Sequence, residues 1–138
     1  TAGGFHLKTN IGCTIGTLTI YYGNVLISKY ITWTQIYTKY IVILIAFVFS
    51  MIMVSLYAPA DTVNLPILTK RERKTKRILS YVFATITLLV AIIIKDNILS
   101  NILLLNVLIE SICISKVAYK LTKNEYGYEN YLKELKVR

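Results

Sequence analysis

IVILIAFVFSMIMVSLY, residues Ile41–Tyr57, runs for seventeen residues without a single charge. The hydrocarbon core of a bilayer is ~30 Å thick and takes about 20 residues of helix, with a lower limit of roughly 17. This stretch therefore reads as a membrane helix. Three more apolar stretches surround it. Leu79–Ile94 is sixteen uncharged residues, and reaches a full span if Arg77 and Lys95 snorkel toward the headgroups. Ile98–Ser115 is eighteen residues with one carboxylate, Glu110. Ile11–Ser28 is less pure, holding Thr14, Gly16, Thr17, Thr19, Gly23 and Asn24, and either spans or dips in as a re-entrant segment.

Composition agrees. Of 138 residues, 55% are hydrophobic and 17% charged, and the mean hydropathy is +0.56. Disorder is excluded, because a disordered chain is poor in apolar residues. A water-soluble globule of this size has too little amphipathic surface left once four such stretches are buried. A membrane barrel would alternate apolar and polar residues along its strands. The expected fold is all-α: a single membrane-embedded domain over residues 1–138. Its four membrane-associated segments lie at about 11–28, 41–57, 79–94 and 98–115. A basic loop at 58–78 and a tail at 116–138 lie between and after them. Tyr128–Val137, which mixes Tyr131, Leu132 and Leu135 with charges, suits an interfacial amphipathic helix.

Charge supplies the orientation. The net charge is +9, from 16 Lys and Arg against 7 Asp and Glu. If all four stretches span, thirteen of the sixteen cations fall on one side: Lys8, the run Lys70, Arg71, Arg73, Lys74, Lys76 and Arg77, and six in the tail. The positive-inside rule makes that side cytoplasmic, together with both chain ends. The apolar bulk leaves no polar basic face of the kind a nucleic-acid partner needs. No CxxC or His-rich spacing is present, so no metal site and no cofactor are expected.

His6, the one histidine in the chain, stands seven residues before Cys13 in TAGGFHLKTNIGC. A thiolate is the nucleophile in cysteine catalysis, and an imidazole is the usual means of forming it near neutral pH. The alternative reading makes Cys13 a small packing residue, as buried cysteines usually are. Seven residues of straight helix separate two side chains by ~10.5 Å along the axis, beyond the roughly 3 Å reach of a base and its nucleophile. Direct contact requires a bend, for which Gly3, Gly4 and Gly12 supply the freedom. Gly12-x-x-x-Gly16 also suits close helix approach, within the chain or between copies.

Two blocks resemble a known family. GGFH followed by Cys13 is similar to the active-site motif of the accessory gene regulator protein B family, bacterial membrane cysteine peptidases that process quorum-sensing propeptides. YAPADTVNLPI, Tyr57–Ile67, resembles the family's YAPA-x(4)-KPI block. The order then continues as in the family: a basic run, an apolar helix ending IIIKD, and a last helix with a Glu. Two departures stand out, Leu7 where a small residue is frequent and Leu65 in place of the Lys of KPI.

The resemblance implies a multi-pass protein of the bacterial cell membrane with its catalytic residues on the cytoplasmic side. It makes Cys13 the nucleophile and His6 the general base. The propeptide's C-terminal tail would be cleaved off and a thiolactone or lactone ring closed through a thioester. It further implies a homodimer, and an N-terminal region ahead of the Gly-rich motif that this chain lacks. Asp61 has two readings: a third member orienting His6, or a turn residue bonded to the backbone of Thr62 beside Pro59. Lys70, Arg71, Arg73, Lys74, Lys76 and Arg77 would hold an acidic propeptide tail, or serve as a topology signal that also holds anionic lipid. Glu110 should face the bundle interior or a wet cavity, with Asn101, Asn106 or a propeptide group as partner. The competing reading is a non-catalytic helical membrane protein, an assembly or transport partner, or an inactive truncated family member.

Overall fold

The computed structural model describes residues 10–33, 35–61, 67–122 and 126–137. Among these, every regular element is a helix: α1 Asn10–Tyr30, α2 Ile36–Tyr57, α3 Lys70–Ile93, α4 Asn97–Cys113, α5 Lys116–Leu121 and α6 Gly127–Val137. In lipid no water is present to satisfy the backbone, so a spanning segment must bond internally, as a helix does. Three helices, α1, α2 and α3, are long and apolar enough to cross a membrane, and α4 is a shorter apolar helix. The protein is thus an all-α, polytopic membrane protein. The first apolar stretch is one unbroken helix rather than a re-entrant pair.

Helices α2, α3 and α4 pack on one another, and α1 lies against α4. Two apolar cores result. One gathers Ile43, Ala46, Leu88, Leu104 and Val107 in the middle of the bundle. The other gathers Val54, Ala58, Ala60, Ile114 and Tyr119 at one end. The outward faces are apolar too: Leu44, Ile45, Leu56 and Ile93 are all more than half exposed. Such exposure is what a helix shows when its neighbour is lipid rather than water.

Helix α3 begins at Lys70, well ahead of the apolar run that starts at Leu79, so the cation run Lys70–Arg77 is helical rather than part of the expected loop at 58–78. The signal was present as Thr69-Lys70-Arg71-Glu72, a capping-box sequence. The Thr69 hydroxyl accepts the Glu72 N–H at 3.4 Å. Helix α4 starts in a similar way: Asp96 Oδ1 accepts the N–H groups of Ile98 at 2.8 Å and Leu99 at 3.2 Å. Where α3 ends, the buried Lys39 of α2 donates to the Ile94 carbonyl at 3.3 Å, placing a cation at the negative end of the helix dipole.

A polar seam joins α1 to α4. Asn24 donates to Asn106 Oδ1 at 2.6 Å and to the Ile102 carbonyl at 3.3 Å. Asn101 donates to the carbonyls of Ser28 at 3.2 Å and Ile31 at 2.9 Å, and accepts the Trp33 indole N–H at 2.6 Å. Apolar attraction between helices is weak in lipid, so amide side chains of this kind act as the adhesive. The two asparagines considered as partners for Glu110 are therefore engaged with α1 and Trp33 instead.

Candidate functional site

His6 lies outside the described residues, as does Thr62, so neither the His6–Cys13 pairing nor the Asp61–Thr62 contact has described geometry. Cys13 sits in the opening turns of α1, half-buried and not in a disulfide. Its carbonyl accepts the Thr17 hydroxyl at 2.8 Å. Asn24 meets Ile102 and Asn106, while Ser28 meets Asn101, so α1 and α4 run antiparallel. Carried along both helices at ~1.5 Å per residue, that register brings Cys13 level with the junction of α4 and α5.

The same end of the bundle holds a buried carboxylate. Asp61 is 3% exposed, and its Oδ2 accepts from three donors. They are the Ile67 N–H at 3.0 Å, the Arg73 guanidinium at 3.3 Å and the Tyr128 N–H at 3.0 Å. Its backbone carbonyl accepts the Tyr119 hydroxyl at 3.1 Å. One residue thereby ties the α2–α3 connection to α3, α5 and α6. A buried charge is tolerable only when paired and bonded in this manner. Nearby, the peptide bond between Ala58 and Pro59 is cis, and Arg77 donates to the Ala58 carbonyl at 2.7 Å.

Two tyrosines complete the cluster. Tyr119 and Tyr126 stack with centroids 4.1 Å apart and ring planes 10° from parallel. The Tyr126 hydroxyl donates to the Ile114 carbonyl at 2.7 Å. Burial pushes the Tyr126 hydroxyl up to about 12, with Glu129, Tyr57 and Asp61 adding to the shift. Tyr119 is raised further, by burial first and then by Tyr126 and Asp61. Both remain neutral donors across the physiological range.

The basic run divides. Arg73 is committed to the structure: besides Asp61 it donates to the Ile67 carbonyl at 3.4 Å and lies 4.2 Å over the Tyr128 ring. Arg77 is held at Ala58. Lys70, Arg71, Lys74 and Lys76 are exposed and make no ion pair among the described residues. Four of the six candidate tail contacts thus face outward at the end where Asp61 and, by register, Cys13 lie. Asp61 and Arg73 are in direct contact. Among the described residues no group of His, Cys, Asp and Glu could hold a metal.

Sequence reasoning missed the role of Tyr119, Tyr126 and Tyr128 as partners of the Tyr57–Ile67 block. The only available signal was a tail unusually rich in tyrosine. Lys39, outside the uncharged run Ile41–Tyr57, carries no sequence signal of its burial, yet it falls inside α2 and is 6% exposed.

The pattern of the accessory gene regulator B family matches residues 1–114. Among relatives, the chain is 27% identical over 129 residues to a protein of Listeria innocua, covering 93% of this chain and 61% of that one. It is 26% identical over 135 residues to a protein of Clostridium acetobutylicum, covering 95% of this chain and 62% of that one. Both carry the name "Putative AgrB-like protein". The chain spans about three-fifths of the length of the curated relatives it matches. No solved structure gives a significant match. With the helices, the Tyr57–Ile67 block and the family pattern in agreement, this membrane protein belongs to the accessory gene regulator B family.

Proposed function

We propose that the chain carries the catalytic part of a membrane-embedded cysteine endopeptidase that cuts a short signalling propeptide and closes it into a ring. The observation that carries this reading is the position of Cys13. It is half-buried at the start of α1, and the α1–α4 register carries it toward the end of the bundle that holds the exposed cations and the Asp61 cluster. A propeptide with an acidic tail would be drawn there by Lys70, Arg71, Lys74 and Lys76, through charge attraction at the membrane surface.

The chemistry runs in two acyl transfers. His6 takes the proton of the Cys13 thiol, and the thiolate adds to the scissile carbonyl. The C–N bond breaks, His6 returns the proton to the leaving amine, and the C-terminal tail departs. The remaining acyl group is a thioester on Cys13. A Cys thiol or Ser hydroxyl of the same propeptide then attacks that carbonyl, losing its proton as Cys13 recovers one. No ATP is required when a thiol accepts the acyl group, because one thioester is exchanged for another. Hydrolysis competes, so water must be held back, which a site at the membrane boundary favours. The reading includes a cytoplasmic position for the site and a homodimeric enzyme.

The test places Cys13→Ala and His6→Ala separately in the full-length protein and follows propeptide cleavage in cells. Each is expected to abolish processing while the protein remains in the membrane. Normal processing by either variant would overturn the assignment and favour a non-catalytic role.

A further inference from the structure

A cleft of about 220 Å³ opens between α3 and α4, with α2 behind it. Its floor is buried: Val54, Val107 and Ile114, together with the hydroxyl-bearing Ser80 and Ser111. Phe83 of α3 and Glu110 of α4 are exposed at its rim. These residues belong to apolar helices and lie in the half of the bundle nearer the Asp61 cluster. Among the described residues nothing covers the cleft, which faces sideways out of the bundle near one end.

The Glu110 carboxylate makes no hydrogen bond and no ion pair among the described residues. Hydrocarbon offers a carboxylate nothing, so an ionisable residue at this depth needs a partner. Among the described residues none supplies one. Between Asn10 and Ser28 of α1, Tyr40 and Tyr57 of α2, Ile78 and Ile94 of α3, and throughout α4 there is no Lys or Arg.

The lining points to the shape of the missing group. Apolar walls and a carboxylate at the rim complement a long aliphatic stem that ends in a cation, the form of a Lys or Arg side chain. The volume lies below the roughly 300–1,000 Å³ of drug-sized ligand pockets, and suits one side chain. We infer that this cleft is a binding site for a membrane-inserted peptide helix, with one Lys or Arg of that helix lying along the cleft and paired with Glu110. The site is independent of Cys13 and stands whether or not the chain is a peptidase.

The test uses the full chain with Cys13→Ala, in phosphatidylcholine nanodiscs. The probes are two labelled single-span polyleucine peptides that differ only in one Lys or Met near one interface. Energy transfer between peptide and protein is expected to report at least tenfold tighter binding of the Lys peptide. Glu110→Gln should make the two peptides equal, and Ala84→Leu, which narrows the cleft and leaves the carboxylate, should weaken the Lys peptide selectively. Equal binding of both peptides to the parent protein would overturn the proposal, as would an unchanged preference in Glu110→Gln. So would loss of protein–protein energy transfer in Glu110→Gln without peptide, which would assign the carboxylate to a second copy. Processing by the Cys13 and His6 variants is measured separately, so failure of one reading does not mask the other.

Discussion

The carboxylate of Asp61 accepts the backbone N–H of Tyr128 at 3.0 Å, a contact between residues 67 positions apart. It fastens the tail of the chain to the connection between α2 and α3. Because the same oxygen also holds Ile67 and Arg73, the tail and the Tyr57–Ile67 block share one anchor.

Asp61→Ala should therefore release α6. Removing the acceptor leaves buried donors unpaired, at a cost of about 1–3 kcal/mol. Hydrogen exchange at the Tyr128 amide should rise sharply, and trypsin should cut the tail faster. Asp61→Asn keeps an acceptor oxygen and should restore part of the protection. Unchanged exchange in Asp61→Ala would show that α6 docks by other means.

The six cations of the basic run should separate into two behaviours. Changing Lys70, Arg71, Lys74 and Lys76 to Ala should leave thermal stability nearly unaltered, as exposed substitutions do, within about 0.5 kcal/mol. It should weaken binding of an acidic peptide, most visibly at low salt. Arg73→Ala should instead lower stability and loosen Tyr128, because its guanidinium bonds Asp61 and covers that ring. Equal effects on stability from both sets would contradict the division.

Asn106→Leu should weaken the contact of α1 with α4 although Asn106 is remote from Cys13, while Asn101 and the Asn24–Ile102 bond still hold the seam. Interhelical hydrogen bonds in membranes are worth about 0.6 kcal/mol on average, with measured values up to roughly 1.7. A double-mutant cycle with Asn24→Leu should return a coupling energy in that range. Propeptide processing should fall as well, since α1 carries Cys13. Full additivity of the two substitutions would mean the amides do not act on one another.

Tyr126 makes docking of the tail sensitive to alkali. Its folded value of about 12 exceeds the ordinary 10.0, so folding favours the neutral phenol. The stabilisation is fully present below pH ~10 and is lost as pH climbs through the folded value. Tyrosinate absorbance should show one late-titrating phenol more than in Tyr126→Phe, where Tyr119 still titrates late. A titration that superimposes on that of the variant would remove this residue from the cluster.

Much of the fold was legible along the chain. Uncharged runs the length of a bilayer can satisfy their backbones only as helices, and the Cys13 and Tyr57–Ile67 blocks stood in the family's order. The start of α3 was misread because a run of six cations resembles solvated loop, while the Thr69–Glu72 cap outweighs that impression locally. Asp61 was harder. His6 and Thr62, the partners of its catalytic and turn readings, lie outside the described residues. The partners its carboxylate does show, Ile67, Arg73 and Tyr128, were not foreseen.

The uncharged stretch Ile41–Tyr57 decided by itself that this is a membrane protein, because transfer of apolar side chains into lipid depends on composition and length alone. It could not say which side chains meet. Asn24 finds Asn106, Asp61 finds Tyr128, and Glu110 is left at the rim of a cleft. Those outcomes depend on how helices rotate and shift against one another, and that is set by packing between residues far apart in the chain.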